Sequence, residues 1–154
     1  MKKRYLMLFS SIMFLAVLFG CSNEQFNDEN IAFTVVHTES TNEFKSYTIE
    51  IVNNTGFDLT HLRLNLTYPI KTSNGSKDNP FSVEGKADNL TRQINLKTGE
   101  TIVFTIFAPI NEVFSNTELL DFENPNVNLI GFVKDGNEEI PFGISGGLNV
   151  LENY

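Results

Sequence analysis

The sequence predicts an all-β domain, an antiparallel β-sandwich of about seven or eight strands, behind a cleaved N-terminal segment. Three observations lead to this prediction. Apolar and polar residues alternate with period two in several short runs, and turn-forming residues separate those runs. Helical turns are expected over one short stretch, residues 111–120, which is bounded by prolines on both sides.

The clearest strand covers residues 62–68, where Leu62, Leu64, Leu66 and Tyr68 alternate with polar residues. Successive side chains of a strand point to opposite faces of a sheet, so this pattern is typical of a half-buried antiparallel strand. The remaining predicted strands are residues 31–36, 47–51, 90–96, 102–108, 127–133 and 140–144, with residues 148–151 as an eighth candidate.

Turn sequences connect these runs. Asp135-Gly136 between two apolar segments predicts a β-hairpin. Many short strands with regularly spaced turns favour a sandwich of the immunoglobulin type, although the disulfide and the core tryptophan of antibody domains are both absent. The other turns are expected at Asn53-Asn54-Thr55-Gly56, Asn74-Gly75 and Lys97-Thr98-Gly99-Glu100.

The N-terminus has the organisation of an export signal. A basic block, residues 2–4, precedes an apolar run over residues 5–19, and the chain turns polar and acidic after Cys21. The run is short for a membrane span, which needs about 20 residues. Leu18-Phe19-Gly20-Cys21 resembles the lipobox of bacterial lipoproteins, with Phe19 as a departure because that position usually holds a smaller residue.

This resemblance implies a diacylglycerol on the Cys21 thiol and cleavage just before it. Residues 1–20 would be the lipoprotein signal peptide, residues 21–30 the acylated N-terminus and a polar tether, and residues 31–154 the immunoglobulin-like domain. The domain would then be lipid-anchored at the outer, extracytoplasmic face of the bacterial cell membrane, with that membrane as its partner. The alternative is an ordinary secreted protein.

Cysteine usage favours the lipoprotein interpretation. Cys21 is the one cysteine of the chain, so no disulfide can form within it, and an exported free thiol would be a liability. Acylation would remove that thiol. Two acyl chains also hold a protein at a membrane stably, whereas a single chain binds it marginally.

The mature chain would be strongly acidic. The full sequence has 11 basic and 19 acidic residues, and Lys2, Lys3 and Arg4 would leave with the signal peptide, so 8 − 19 gives a net charge of −11. Such a surface repels phosphate backbones and anionic headgroups, which argues against nucleic acid as a partner.

Residues 47–108 resemble small immunoglobulin-like modules of bacterial envelope lipoproteins. This resemblance implies a binding or spacing role, and it supplies no catalytic residues. The segments that carry it are Val52-Asn53-Asn54-Thr55-Gly56, the strand at residues 62–68, Asn74-Gly75, and Leu96-Lys97-Thr98-Gly99-Glu100 leading to Phe104.

Residues for catalysis or metal binding are sparse. The two histidines, His37 and His61, lie at the ends of predicted strands, and no Gly-x-Ser-x-Gly motif surrounds a serine. Acidic residues at 135–139 alternate as in calcium loops but lack the EF-hand spacing, so we interpret them as a solvated hairpin tip. We therefore expect no catalytic residue, no metal and no cofactor.

One set of residues is a candidate partner surface. Val103 and Phe107 lie on the opposite face of their strand from Ile102 and Phe104, and Ile130 and Phe132 do the same in theirs. Bare apolar side chains of this kind usually mark a contact surface. The alternative is that a tail, a loop or residues 111–124 cover them.

The sequence thus favours a non-catalytic binding or accessory module at the cell envelope, with an unidentified protein or ligand as its partner. A small envelope hydrolase or metal-dependent enzyme using His37 or His61 is the alternative, and a structural spacer is a third interpretation. A histidine beside a carboxylate in a concave site would favour the enzyme.

Overall fold

The computed structural model describes residues 25–88, 93–114 and 117–151. Over these ranges the chain forms two four-stranded antiparallel sheets and a small separate hairpin, so the predicted all-β sandwich is confirmed. The strands are β1 (Ile31–Ser40), β2 (Phe44–Asn53), β3 (Asp58–Thr67), β4 (Ile70–Thr72), β5 (Gly75–Lys77), β6 (Val83–Glu84), β7 (Lys86–Ala87), β8 (Thr101–Pro109), β9 (Asn126–Asp135) and β10 (Glu138–Gly147).

Short helical segments complete the fold. Two are α-helical, α1 (Ile110–Val113) and α2 (Leu148–Leu151), and two are 3-10 turns, Asp28–Asn30 and Thr117–Leu119. The helical turns expected within residues 111–120 are therefore confirmed.

The strand order is that of an immunoglobulin sandwich. One sheet has the order β1-β2-β8-β7 and the other β10-β9-β3-β6. In immunoglobulin domains strands A, B, E and D form one sheet and C, F and G the other. Here β1, β2, β8 and β7 take the first four places, and β3, β9 and β10 take the other three. The short strand β6 adds an edge beside β3.

The core lies between the two sheets and is lined by the alternating residues that the sequence indicated. Because each strand is buried on one face, every second side chain points inward. Fully buried side chains include Ile49 and Ile51 of β2, Leu62, Leu64 and Leu66 of β3, Phe104 and Ile106 of β8, and Val127 and Leu129 of β9.

The strand predicted at residues 90–96 is not present in its described part, residues 93–96. Leu96 exchanges two backbone hydrogen bonds with Leu59, of 2.8 and 2.9 Å, and the Leu62 amide donates to the Ile94 carbonyl at 2.9 Å. Between these points the amide of His61 donates to the Asn95 side chain at 3.3 Å instead of to backbone. The ladder is therefore interrupted, and an isolated bridge takes the place of a strand.

The eighth candidate strand, residues 148–151, is also wrong, because this segment forms α2. Leu148 and Leu151 are buried, whereas Asn149 and Val150 between them are exposed. A spacing of three residues places both leucines on the same side of a helix, but on opposite faces of a strand.

The chain enters the domain at one end of the sandwich, which we call the N-terminal pole. It comprises Phe26, the loop 53–57 between β2 and β3, the turn 97–100 and the β9–β10 hairpin tip at 135–138. The far pole is the opposite end, with the β1–β2 turn at 41–43, the β4–β5 hairpin and α1. Strands of ten residues separate the poles by about 33 Å.

A buried polar side chain organises the N-terminal pole. Asn53 is fully buried, and its amide nitrogen donates to the carbonyls of Phe57 at 2.8 Å and Leu96 at 3.0 Å. Its amide oxygen accepts from the Thr55 backbone at 3.1 Å and from the Thr55 hydroxyl at 2.6 Å. The Gly99 amide donates to the Asn53 carbonyl at 2.7 Å. The Asn-rich turn and the Lys97–Glu100 turn are thus joined through one residue.

Candidate functional site

The predicted lipid-attachment residue, Cys21, lies outside the described residues, as does the whole predicted signal peptide. The described chain starts at Gln25. From there to Leu151, leaving aside the two gaps, no helix has the length and hydropathy of a membrane span.

The predicted tether, residues 22–30, packs against the domain from Phe26 onward. The Phe26 ring lies 5.4 Å from the Phe142 ring and 6.2 Å from the Phe57 ring, measured between centroids. The 3-10 turn Asp28–Asn30 follows, and the Asn30 carbonyl accepts a hydrogen bond of 3.0 Å from the Asn54 amide. The contact of Phe26 was not foreseen, because one aromatic residue in a polar stretch has no periodicity to mark it.

The candidate partner surface is divided between the two sheets. Val103 and Phe107 of β8 lie on the outer face of one sheet, and Ile130 and Phe132 of β9 lie on the outer face of the other. The outer faces of a sandwich point in opposite directions, so the four side chains form two pairs and not one patch. Phe107 is 54% exposed and packs on Phe44 with 5.1 Å between ring centroids, and Phe132 is 36% exposed.

His61 occupies a β-bulge, and this bulge determines which side chains of β3 point into the core. The register of β3 against β9 shifts between Thr60 and Arg63, so that His61 and Leu62 together oppose Gly131. His61 has φ 54°, a left-handed conformation that non-glycine residues adopt at a cost. The extra residue allows both Leu59 and Leu62 to point into the core.

Gly131 makes room for this bulge. A β-carbon on Gly131 would lie 2.9 Å from the Thr60 carbonyl oxygen and 2.8 Å from a methyl carbon of Leu62. Both distances are shorter than van der Waals contact. The bulge therefore requires glycine at this position of β9.

The bulge directs the His61 side chain to the surface, beside a carboxylate. His61 Nε2 lies 3.7 Å from Glu139 Oε1, and the Thr60 hydroxyl donates to the same oxygen at 2.9 Å. The imidazole meets the Phe132 ring edge to face, with 5.8 Å between centroids. A shallow depression of about 530 Å³ adjoins these residues and is also lined by Arg63 and Glu84.

This cluster can donate and accept protons or hydrogen bonds at the surface. Both His61 and Glu139 are more than a third exposed, so solvent weakens their mutual attraction. The hydroxyl at Glu139 belongs to Thr60, which donates to the carboxylate and not to the imidazole. The described geometry therefore orients Glu139 but does not form a nucleophile–base pair.

His37 lies away from this cluster. It follows a second bulge, between Val35 and His37 of the edge strand β1, and it is exposed. His37 is not among the residues that line the depression beside His61.

The acidic segment at residues 135–139 forms the tip of a hairpin. Asp135 and Glu138 pair across a two-residue turn with Gly136 at φ 60°, which confirms the predicted hairpin. In the loop before β9, the Asn124 side chain donates to Asp121 at 3.0 Å, and this hydrogen bond lowers the pKa of the Asp121 carboxyl. Across the described ranges, no three His, Cys, Asp or Glu side chains come together as a metal site would require.

The far pole contains a cluster of aromatic rings. Phe114 contacts Tyr68 at 5.3 Å, Phe122 at 5.8 Å and Phe81 at 5.4 Å between centroids, and Phe81 is 49% exposed. Burial raises the pKa of the Tyr68 hydroxyl. Nearby, Leu119 is 52% exposed. The pole thus presents exposed apolar side chains beside a cluster of packed aromatic rings.

Comparison with known proteins adds little to these observations. No protein-family model and no curated protein matches the chain. Among solved structures, the β-glucosidase of Kluyveromyces marxianus in complex with glucose is 11% identical, with a TM-score of 0.38 over 76% of this chain and 15% of the enzyme. Its selenomethionine form has the same identity and TM-score and is covered over 14%. The chain thus spans a small part of that enzyme, and likenesses this distant carry no argument about function.

Proposed function

We propose that this chain is a bacterial lipoprotein, attached through a lipid on Cys21 to the outer face of the cell membrane, where its β-sandwich is a non-catalytic binding or accessory module. Its partner is an envelope protein or ligand that remains to be identified. The proposal needs no cofactor and no nucleic acid.

The observation that carries the proposal is the position of Cys21. It is the one cysteine, it ends an apolar run that follows three basic residues, and Leu18 and Gly20 occupy the lipobox positions before it. The thiolate is the natural acceptor for a lipid, and acylation at this place leaves no free thiol in the chain.

The binding role is supported by apolar side chains at the surface of a rigid domain. Phe81 and Leu119 at the far pole, and Phe107 on a sheet face, each expose about half of their side chain. Phe81 is supported from below by the buried Phe114 ring. Exposed apolar groups with fixed geometry are typical of contact surfaces.

Metabolic labelling tests the anchor. Cells that express the wild-type chain, Cys21→Ser or Ser22→Ala are grown with an alkyne analogue of palmitate and then fractionated. The wild type and Ser22→Ala should label and remain with the membranes, because both keep the thiol. Cys21→Ser should not label, and any released mature form should be found in the soluble fraction, since its acidic surface is repelled by anionic lipid.

Two results would contradict the lipoprotein proposal. One is wild-type protein without label. The other is Cys21→Ser protein that labels as strongly as the wild type.

A second candidate function rests on the His61–Glu139 contact. A histidine 3.7 Å from a carboxylate beside a depression is one element that a small hydrolase or metal-dependent enzyme would use. Purified protein would be assayed against ester and phosphoester substrates, with and without zinc. Turnover that is lost in His61→Gln and retained in His37→Gln would replace the binding proposal with this one.

A further inference from the structure

An apolar groove lies at the N-terminal pole, beside the point where the chain enters the domain. Its volume is about 460 Å³, and its apolar lining includes Phe26, Phe57, Ile140 and Phe142, with Asp135 also in contact. Phe26 and the aromatic residues below it are partly buried, but Ile140 is 49% exposed. The groove is therefore open to the surface.

The number of residues between Cys21 and the groove indicates which surface the groove contacts. Phe26 lies in the groove wall, and Cys21 precedes it by five residues. Five residues span at most about 18 Å even when fully extended. If Cys21 carries a membrane-inserted lipid, as the proposed function requires, the N-terminal pole cannot move farther than this from the lipid surface.

We propose that the groove is a membrane-contact surface, which rests against the lipid leaflet that holds the Cys21 anchor. Ile140 enters the interfacial layer, and the far pole points away from the membrane. The partner of this surface is lipid, because Ile140 is exposed beside three partly buried aromatic rings and the distance of these groups from the anchor is limited by the chain. The domain is thereby oriented and does not swing freely on its tether.

The negative charges beside the groove determine which lipid headgroups favour this contact. Asp135 lies in the groove, and Glu138 and Glu139 follow in the same hairpin. These carboxylates repel anionic headgroups, so the apolar contact should be strongest on zwitterionic lipid. Added phosphatidylglycerol should weaken the contact of the groove without releasing the covalent anchor.

Fluorescence quenching in vesicles tests the orientation. Full-length protein, processed in cells, is reconstituted into phosphatidylcholine vesicles that contain a nitroxide-labelled lipid. Single cysteines are introduced as Ile140→Cys in the groove, Asn137→Cys at the exposed hairpin tip, and Leu119→Cys at the far pole, and each is coupled to an environment-sensitive fluorophore. The second position at the N-terminal pole guards against a local effect of replacing Ile140.

We expect strong quenching at positions 137 and 140, with a blue-shifted emission at 140 and no appreciable quenching at 119. The poles are about 33 Å apart, which is beyond the reach of a lipid-borne quencher. Equal quenching at both poles, or none at positions 137 and 140 in protein that floats with the vesicles, would overturn the inference.

The parent chain, which has no introduced cysteine, tests the proposed lipid anchor independently of the groove contact. Once Cys21 is acylated, the chain has no free thiol and should take up no fluorophore. Parent protein that takes up the fluorophore, or that does not float with the vesicles, would contradict the anchor itself. Anchored protein with unquenched labels at the N-terminal pole contradicts the groove contact alone.

Discussion

Replacing Asn53 with aspartate should destabilise the domain more than its conservative chemistry suggests. The change exchanges the amide nitrogen, which donates to the carbonyls of Phe57 and Leu96 at 2.8 and 3.0 Å, for an oxygen that can only accept. Both carbonyls would lose this donor, while the Leu96 carbonyl would keep its 2.9 Å bond from the Leu59 amide and the Phe57 carbonyl would keep the Thr55 hydroxyl at 3.1 Å. Each lost hydrogen bond contributes about 0.5–1.5 kcal/mol, so the two together correspond to about 1–3 kcal/mol, and the buried carboxylate facing two carbonyl oxygens adds to this loss.

Such a loss is large against the total stability of a small domain, about 5–15 kcal/mol. Asn54→Asp is a matched control, because it adds the same charge one residue later on an exposed side chain. The contact of Asn54 with Asn30 uses the backbone amide and should persist, so the change should stay within about 0.5 kcal/mol. Urea unfolding of residues 22–154, followed by circular dichroism, measures both variants. Two variants of equal stability would refute the role assigned to Asn53.

Three further predictions concern stability. Gly131→Ala should lower the free energy of unfolding by about 1–3 kcal/mol, because the added β-carbon would lie 2.9 Å from a backbone oxygen. Gly143→Ala on the neighbouring strand is the control. Its β-carbon would lie 3.6 Å from the nearest atom, so the melting temperature should be nearly unchanged. Phe26→Ala should lower the free energy of unfolding by about 1–3 kcal/mol, since the ring is partly buried on the domain, and an unchanged urea midpoint would contradict that packing. Adding or chelating calcium should leave the melting temperature unchanged, and a rise with calcium would mean that the Asp135 hairpin binds the ion.

The sequence predicted the sheets well where a strand is buried on one face. Alternation over residues 62–68 is a local property, and it placed Leu62, Leu64 and Leu66 in the core correctly. It did not extend back to Leu59, which is also buried, because the bulge at His61 shifts the phase by one residue. The period-two pattern of β3 cannot reveal this bulge, because the glycine that the bulge requires lies in the neighbouring strand, at Gly131.

The candidate sites were harder to predict because they depend on contacts between distant residues. The His61–Glu139 contact joins residues 78 positions apart and brings together β3 and β10 across β9. The burial of Asn53 was likewise not expected, because asparagine in a turn is usually solvated. Asn53 is buried because its side chain donates to the carbonyls of Phe57 and Leu96, which come later in the chain.

The end strands of the two sheets gain importance if the proposed lipid anchor holds the chain at a membrane. Anchored copies would share a plane and meet at high local concentration, where the edge strands β1 and β10 could pair between copies. Each strand carries an interruption. The bulge at Val36 breaks the regular spacing of β1, and Pro141 removes one amide from β10. On the proposed lipid anchor, these interruptions would oppose the pairing of β1 and β10 into an intermolecular sheet.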